Sequence, residues 1–198
     1  MSHRFQCRCG TVQGEILQPR GAMRATCYCR DCQAYARLLG QAQDVLDPLG
    51  GTDVVATPAS NVRLTAGQAS LRCLSLSPRG LLRWYAGCCR TPVANTPRDW
   101  RLPYVGLVHT CLRRPQPLEQ SFPRAELRVN TQGAHGPVSG RNGLAAWLRF
   151  ARLVLRLSGQ RLRGRYRATP FFDAEGRPVA TVEVVSREAV EAARRVPA

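Results

Sequence analysis

The sequence predicts a mainly β fold with a small α+β extension at its C-terminal end. Three observations carry this reading. Short alternating apolar–polar runs recur through residues 4–109, most of them punctuated by Gly or Pro. All nine cysteines fall within the first 111 residues. Beyond residue 112 the chain turns rich in Pro, Arg, Gln and Gly, and then shows one long run of helical periodicity. The expected division is a cysteine-bearing β domain over 1–112 and an arginine-rich extension over 113–198.

Residues 4–17, RFQCRCGTVQGEIL, alternate around Gly10 and Gly14 and predict a strand, a turn and a second strand. Residues 22–29 predict a strand that runs into a cysteine cluster. Residues 31–39 have helical spacing, with Asp31 as candidate N-cap and Gly40 as terminator. Gly50-Gly51 marks a turn, and strands are expected at 52–57, 61–65, 69–76, 81–85 and 104–109. The segment 113–140 reads as a linker around a short strand at 125–129. Residues 143–157, GLAAWLRFARLVLRL, form the clearest helix, bounded at 142–158 by Asn142 as candidate N-cap and Gly159 as candidate C′ residue. Arg149, Arg152 and Arg156 share one face of it, and Leu144, Trp147, Leu148, Ala151 and Leu155 cover much of the rest. Residues 170–185 predict a hairpin turning at Ala174-Glu175-Gly176, and Ser186 caps a short last helix.

Net charge is +16, and all 29 basic residues are arginine. An arginine-only chain that is also rich in Ala, Gly, Pro and Leu has the stamp of GC-rich codon usage, so the charge is weak evidence for a nucleic-acid partner. No apolar run reaches transmembrane length, and residues 1–10 are polar and cysteine-bearing rather than a secretory core. The expected compartment is the cytoplasm. There an odd count of nine cysteines argues for metal ligation or thiol chemistry rather than disulfides.

Cys7-Arg8-Cys9-Gly10 is a C-x-C, and two residues apart on a strand point to one face, so both sulfurs can reach one ion. Cys27-Tyr28-Cys29-Arg30-Asp31-Cys32 supplies three thiolates from six residues if the chain turns at Arg30-Asp31. Cys88 and Cys89 can supply one or two more. Soft sulfur ligands in tetrahedral sets suit zinc, one or two ions per chain. Four thiolates make a closed structural site, whereas three leave a position for water or an external thiol. Arg8, Arg30 and Arg90 sit beside ligands and are candidates to offset the thiolate charge. Cys73 and Cys111 each lie alone in an apolar stretch and read as packed, reduced side chains. A redox pair of Cys29 and Cys32 lacks the βαβ context such motifs have.

The ordered motifs CRCGTVQG, CYCRDCQAY and LLRWYAGCCRTPVANT resemble the glutathione-dependent formaldehyde-activating enzyme family, which includes centromere protein V, over roughly residues 4–110. The resemblance implies a small β-tent zinc fold. It implies that Cys7 and Cys9 join a later cysteine pair at a structural zinc, and that Cys27, Cys29 and Cys32 form a catalytic zinc site. The family's later C-x-x-C appears here as Ala86-Gly87-Cys88-Cys89, in which Cys89 fits the second position and Cys88 is the candidate substitute for the missing first. Tyr28 and Gln33 replace a customary His and Arg.

The function so implied is that of a zinc-dependent carbon–sulfur lyase acting on adducts of a thiol, glutathione in the founding case, with a small aldehyde. His109 is a candidate to close the three-thiolate site. The alternative is a non-catalytic zinc module that binds nucleic acid or an acidic partner through residues 141–167, which hold eight Arg and no acid. A third reading sets the 143–157 helix on a membrane surface through Trp147 and Phe150.

Overall fold

The computed structural model describes residues 2–122, 124–125, 127–140 and 142–195. Glu126, within the strand expected at 125–129, and Arg141, which opens the arginine-rich stretch, lie outside the described residues. In chain order the elements are β1 (His3–Gln6), β2 (Gln13–Ile16), β3 (Met23–Cys27), α1 (Arg30–Leu38), α2 (Ala42–Val45), β4 (Thr52–Pro58), β5 (Val62–Ala66), β6 (Leu71–Ser75), β7 (Leu82–Ala86), β8 (Pro92–Thr96), β9 (Tyr104–Val108), α3 (His109–Leu112), β10 (Leu127–Val129), α4 (Leu144–Leu162), β11 (Val182–Val184) and α5 (Arg187–Arg194).

The fold is mainly β, as the sequence predicts. One three-stranded sheet has the order β1-β2-β5, and an eight-stranded sheet has the order β10-β3-β4-β9-β8-β7-β6-β11. Pairing is antiparallel except at the two edges, where β10 runs parallel to β3 and β11 parallel to β6. Strand β8, PVANT, has no expected counterpart from sequence. All five of its residues are buried, so it shows neither the alternation of a half-exposed strand nor a long apolar run.

Both edge strands come from the segment after residue 112, and so does part of the main core. Leu118, Phe122, Phe171 and Phe172 pack with Phe5, Ile16, Leu82 and Trp84 in one cluster. The Trp84 and Phe171 rings lie 5.1 Å apart. The stretch 113–140, expected as a linker, is therefore anchored by buried Leu118, Phe122 and Leu127. The hairpin expected over 170–185 shrinks to one bridge, Phe172 to Pro178, closed by a turn in which the Asp173 N–H donates to the Arg177 carbonyl. Its second arm is instead taken up by β6.

Two helix boundaries differ from expectation. Cys29 rather than Asp31 caps α1, its sulfur accepting the Cys32 N–H. Helix α4 starts after Gly143 and runs through Gly159 to Leu162. A single glycine costs a helix only about 1 kcal/mol, which the packed Ala146 and Leu153 offset. Leu144, Trp147, Leu148 and Leu155 stay exposed on the outer side of α4. Among the described residues, no helix is long and apolar enough to cross a membrane.

Two cysteine clusters and an adjoining cavity

The first cluster unites two turns far apart in sequence. Cys7 and Cys9 follow β1, where Gly10 adopts φ +80° and its N–H donates to the Cys7 carbonyl. Cys88 and Cys89 lie in the β7–β8 turn, closed by the Arg90 N–H on the Ala86 carbonyl at 2.7 Å, with Arg90 itself at φ +57°. The Arg8 N–H donates to Thr91 Oγ1 and ties the turns together. All four sulfurs lie within 4.8 Å of one another and can hold a metal ion. The pairs Cys7–Cys9, Cys9–Cys88, Cys7–Cys88 and Cys88–Cys89 stand 3.5, 3.2, 3.9 and 3.9 Å apart. A backbone donor, the Val12 N–H, reaches Cys7 Sγ at 3.3 Å.

The acidities of these thiols split. Hydrogen bonding from the Thr11 hydroxyl brings Cys9 down to about 6, while burial and the hydrogen bond with Cys9 push Cys88 up to about 12. Four thiols this close resist ionising together unless a cation sits among them. Arg8 reaches the Cys89 carbonyl, but Arg90 turns away and caps the last carbonyls of α1, Leu38 and Leu39. Arg90 is therefore not the charge partner its position in sequence suggested.

The second cluster forms where β3 meets α1. Cys27 ends the strand, Cys29 caps the helix, and Cys32 stands in its first turn, so one change of direction gathers the three sulfurs within 4.8 Å. The Cys32 N–H donates to Cys29 Sγ at 3.3 Å, and Asn130 Nδ2 donates to Cys27 Sγ at 3.4 Å. Hydrogen bonds from Cys29 and Cys32 hold Cys27 far below an ordinary thiol, while the same contacts drive Cys32 upward. His109 does not join them: it is buried, its Nδ1 lies 3.1 Å from the Asp53 carbonyl oxygen, and burial lowers its pKa. Among the described residues no fourth His, Cys, Asp or Glu completes this group.

Arg83, on β7, lies 3% exposed beside this cluster. Its Nη1 is 3.9 Å from Cys32 Sγ and 3.1 Å from Asn95 Oδ1, and its guanidinium sits 5.2 Å over the Tyr35 ring. Sequence reasoning missed Arg83, Asn95 and Asn130. The one available signal was a charged residue inside the otherwise apolar run LLRWY. Gln33 bridges the Tyr28 and Gly133 carbonyls and meets His135, which fixes the loop behind the cluster. A Cβ on Gly133 would run into the Tyr28 carbonyl, so glycine is required for that approach. Cys73 and Cys111 are packed in the main core and belong to neither sulfur cluster. All nine thiols are free.

The second cluster opens onto a cavity of 670 Å³ between the large sheet and α4. Cys27, Cys29 and Cys32 line one part of it, with Arg83 and Asn95 beside them. Most of the remaining wall is apolar, from Met23, Ala25, Val54 and Ala56 on the sheet and Leu153 and Leu157 on the helix.

The model of a family described as a family of unknown function (DUF6151) matches residues 2–183. A solved structure, the crystal structure of a Rhodobacter sphaeroides protein determined as a structural genomics target, is similar at TM-score 0.40 and 18% identity, over 63% of this chain and 97% of that one. That score is too low to carry an argument. No curated protein matches the chain.

Proposed function

We propose that this chain, which belongs to the DUF6151 family, is a zinc–thiolate protein with one structural and one reactive centre, the latter serving carbon–sulfur lyase chemistry on thiol–aldehyde adducts. The observation that carries the reading is the contrast between the two clusters. Four sulfurs close the first, while three sulfurs beside a cavity form the second, with no fourth protein ligand among the described residues. A Zn–S bond of 2.3 Å in a tetrahedron implies sulfur–sulfur edges of about 3.8 Å. The Cys7–Cys88 and Cys88–Cys89 separations of 3.9 Å and the Cys27–Cys32 separation of 3.8 Å match that edge, while Cys7–Cys9 and Cys9–Cys88, at 3.5 and 3.2 Å, are shorter. Cys88 takes the ligand place that the resemblance would give to position 86.

Bound zinc would supply Lewis acidity and a lowered thiol pKa. The chain's own residues would do the rest. A substrate would reach Cys27, Cys29 and Cys32 from the cavity that all three line. Arg83 and Asn130 offset and orient the sulfur charge. In the addition direction the substrate sulfur forms a bond to the carbonyl carbon, the C=O π pair moves to oxygen, and that oxygen takes up the proton the thiol gave. The lyase direction reverses each movement. Nine free thiols suit a reducing cytoplasm as the working compartment.

Zinc counted by atomic emission on purified protein tests the reading, together with Cys29→Ser. Two ions per chain falling to one in the variant, with the fold intact, is the expected result. A single ion that the variant leaves unchanged would mean a structural centre only, and the lyase reading would be lost.

A further inference from the structure

The proposed reactive centre faces an apolar chamber, and that fits poorly with glutathione. Glutathione carries two carboxylates and an ammonium group, each of which needs a polar partner once buried. Arg83 is already engaged by Asn95 and Cys32, which leaves Arg161 and Asp31 as the other charged groups of the wall. The cavity volume of 670 Å³ falls in the range of roughly 300–1,000 Å³ typical of small-molecule sites, and its walls are built from β3, β4, β10 and the inner side of α4.

We propose that the thiol taken by the Cys27–Cys29–Cys32 centre has an aliphatic body, which lies between the β3–β4 surface and α4 with its sulfur at the cysteine end. The proposal rests on the reading of that cluster as an open zinc centre. Soft thiolate centres accept a further sulfur readily. Burial of apolar surface supplies the affinity that charge pairing supplies in a tripeptide site. Any anionic tail is met by Arg161 at the helical wall. In the addition reaction the aliphatic thiol contributes the sulfur of the new C–S bond and its proton passes to the aldehyde oxygen.

Calorimetric titration of the zinc-loaded full chain with 1-octanethiol, 1-octanol and glutathione tests this. Octanethiol is expected to bind on the order of tenfold or more tighter than either comparator, since octanol shares only the body and glutathione only the sulfur. Val154→Trp fills the cavity from a half-exposed position on α4 and is expected to weaken octanethiol at least tenfold while zinc content and circular dichroism stay unchanged. Leu157→Trp serves as a second filling variant on the same wall. Glutathione binding as well as octanethiol overturns the proposal, as does octanol binding equally well, or both filling variants binding like wild type. Zinc counted in the same samples separates the failures. Two ions per chain with any of those results leaves the open centre standing and removes only the aliphatic substrate. One ion, unchanged by Cys29→Ser, removes both.

Discussion

The sulfurs of Cys9 and Cys88 stand 3.2 Å apart although 79 residues separate them. This contact joins the turn after β1 to the β7–β8 turn and thereby the small sheet to the large one. A structural zinc in a zinc-finger peptide contributes about 10–16 kcal/mol of apparent folding free energy at neutral pH, against a typical domain stability of about 5–15 kcal/mol. Cys88→Ser is therefore expected to lose one ion per chain and most of its cooperative unfolding transition. Adding Ala86→Cys to that variant is not expected to restore binding, because position 86 is the last residue of β7, whereas Cys88 and Cys89 reach the cluster from the turn beyond it. Metal analysis with thermal melting reads both, and a Cys88→Ser protein that keeps its full metal content would remove Cys88 from the ligand set.

Arg83 is a buried cation whose offsetting charge lies in the Cys32 cluster. Burial opposes its charged form, but the adjoining Cys32 more than reverses this and its pKa is raised. Arg83→Met should reduce metal affinity at the second cluster by about 10–100-fold, the usual effect of losing a ligand's outer partner. Competition with a chelator gives the number. Unchanged affinity would show that Asn130 and the α1 N-terminus suffice.

Phe171 is fully buried against Trp84 although it lies in the extension. Phe171→Ala is expected to cost about 3–5 kcal/mol in urea denaturation. A chain ending at residue 112 should fail to fold, since it lacks Leu118, Phe122 and Phe171 from the core and both edge strands. A folded, metal-loaded 1–112 fragment would show instead that the extension is a separable addition.

The Asp53 carboxylate accepts from Thr26 Oγ1 at 2.6 Å and from Arg24 Nη2 at 2.6 Å. Burial pushes its pKa up, but these hydrogen bonds and the Arg24 charge prevail and hold it below the usual value. The unfolded state then takes the proton first, so the stabilisation is complete above the unfolded pKa of about 3.9 and fades as pH falls through the lower folded value. Asp53→Asn should cost about 1.5–3 kcal/mol near neutrality. The gap from wild type should stay constant from pH 8 to roughly pH 5 and close below roughly pH 4. Comparing the two proteins at each pH cancels thiolate protonation, which is common to both. A gap that widens in acid would contradict the assigned direction.

The sequence by itself determined the β class, most of the strands of the first 110 residues and the local cysteine groupings Cys7–Cys9 and Cys27–Cys29–Cys32. Those depend on local facts. Strand alternation and turn residues act over a few positions, and a C-x-C-x-x-C at a helix start or a C-x-C brings sulfurs together with little help from the rest of the chain, although the C-x-C expected on a strand lies in the turn after β1. The place of Cys88 in the first cluster was left open in sequence. Only the β7–β8 turn, with Arg90 in the left-handed region, delivers both Cys88 and Cys89 to Cys7 and Cys9.

Tertiary structure alone decided the rest. Strand β10 on β3 and β11 on β6 are parallel edge pairings reached by long connections, and three-residue strands carry too little pattern to announce their partner. Arg83, Asn95 and Asn130 come to the thiols from separate segments, by sheet neighbourhood or loop placement rather than by spacing. The cavity exists because α4 spans β3 and β4 without filling the space between. The helix showed its periodicity in sequence, but the volume enclosed beneath it depends on where the helix docks, and docking is set by contacts of Ala146 and Leu153 with Met23, Ala25, Val54 and Ala56, far away in the sequence.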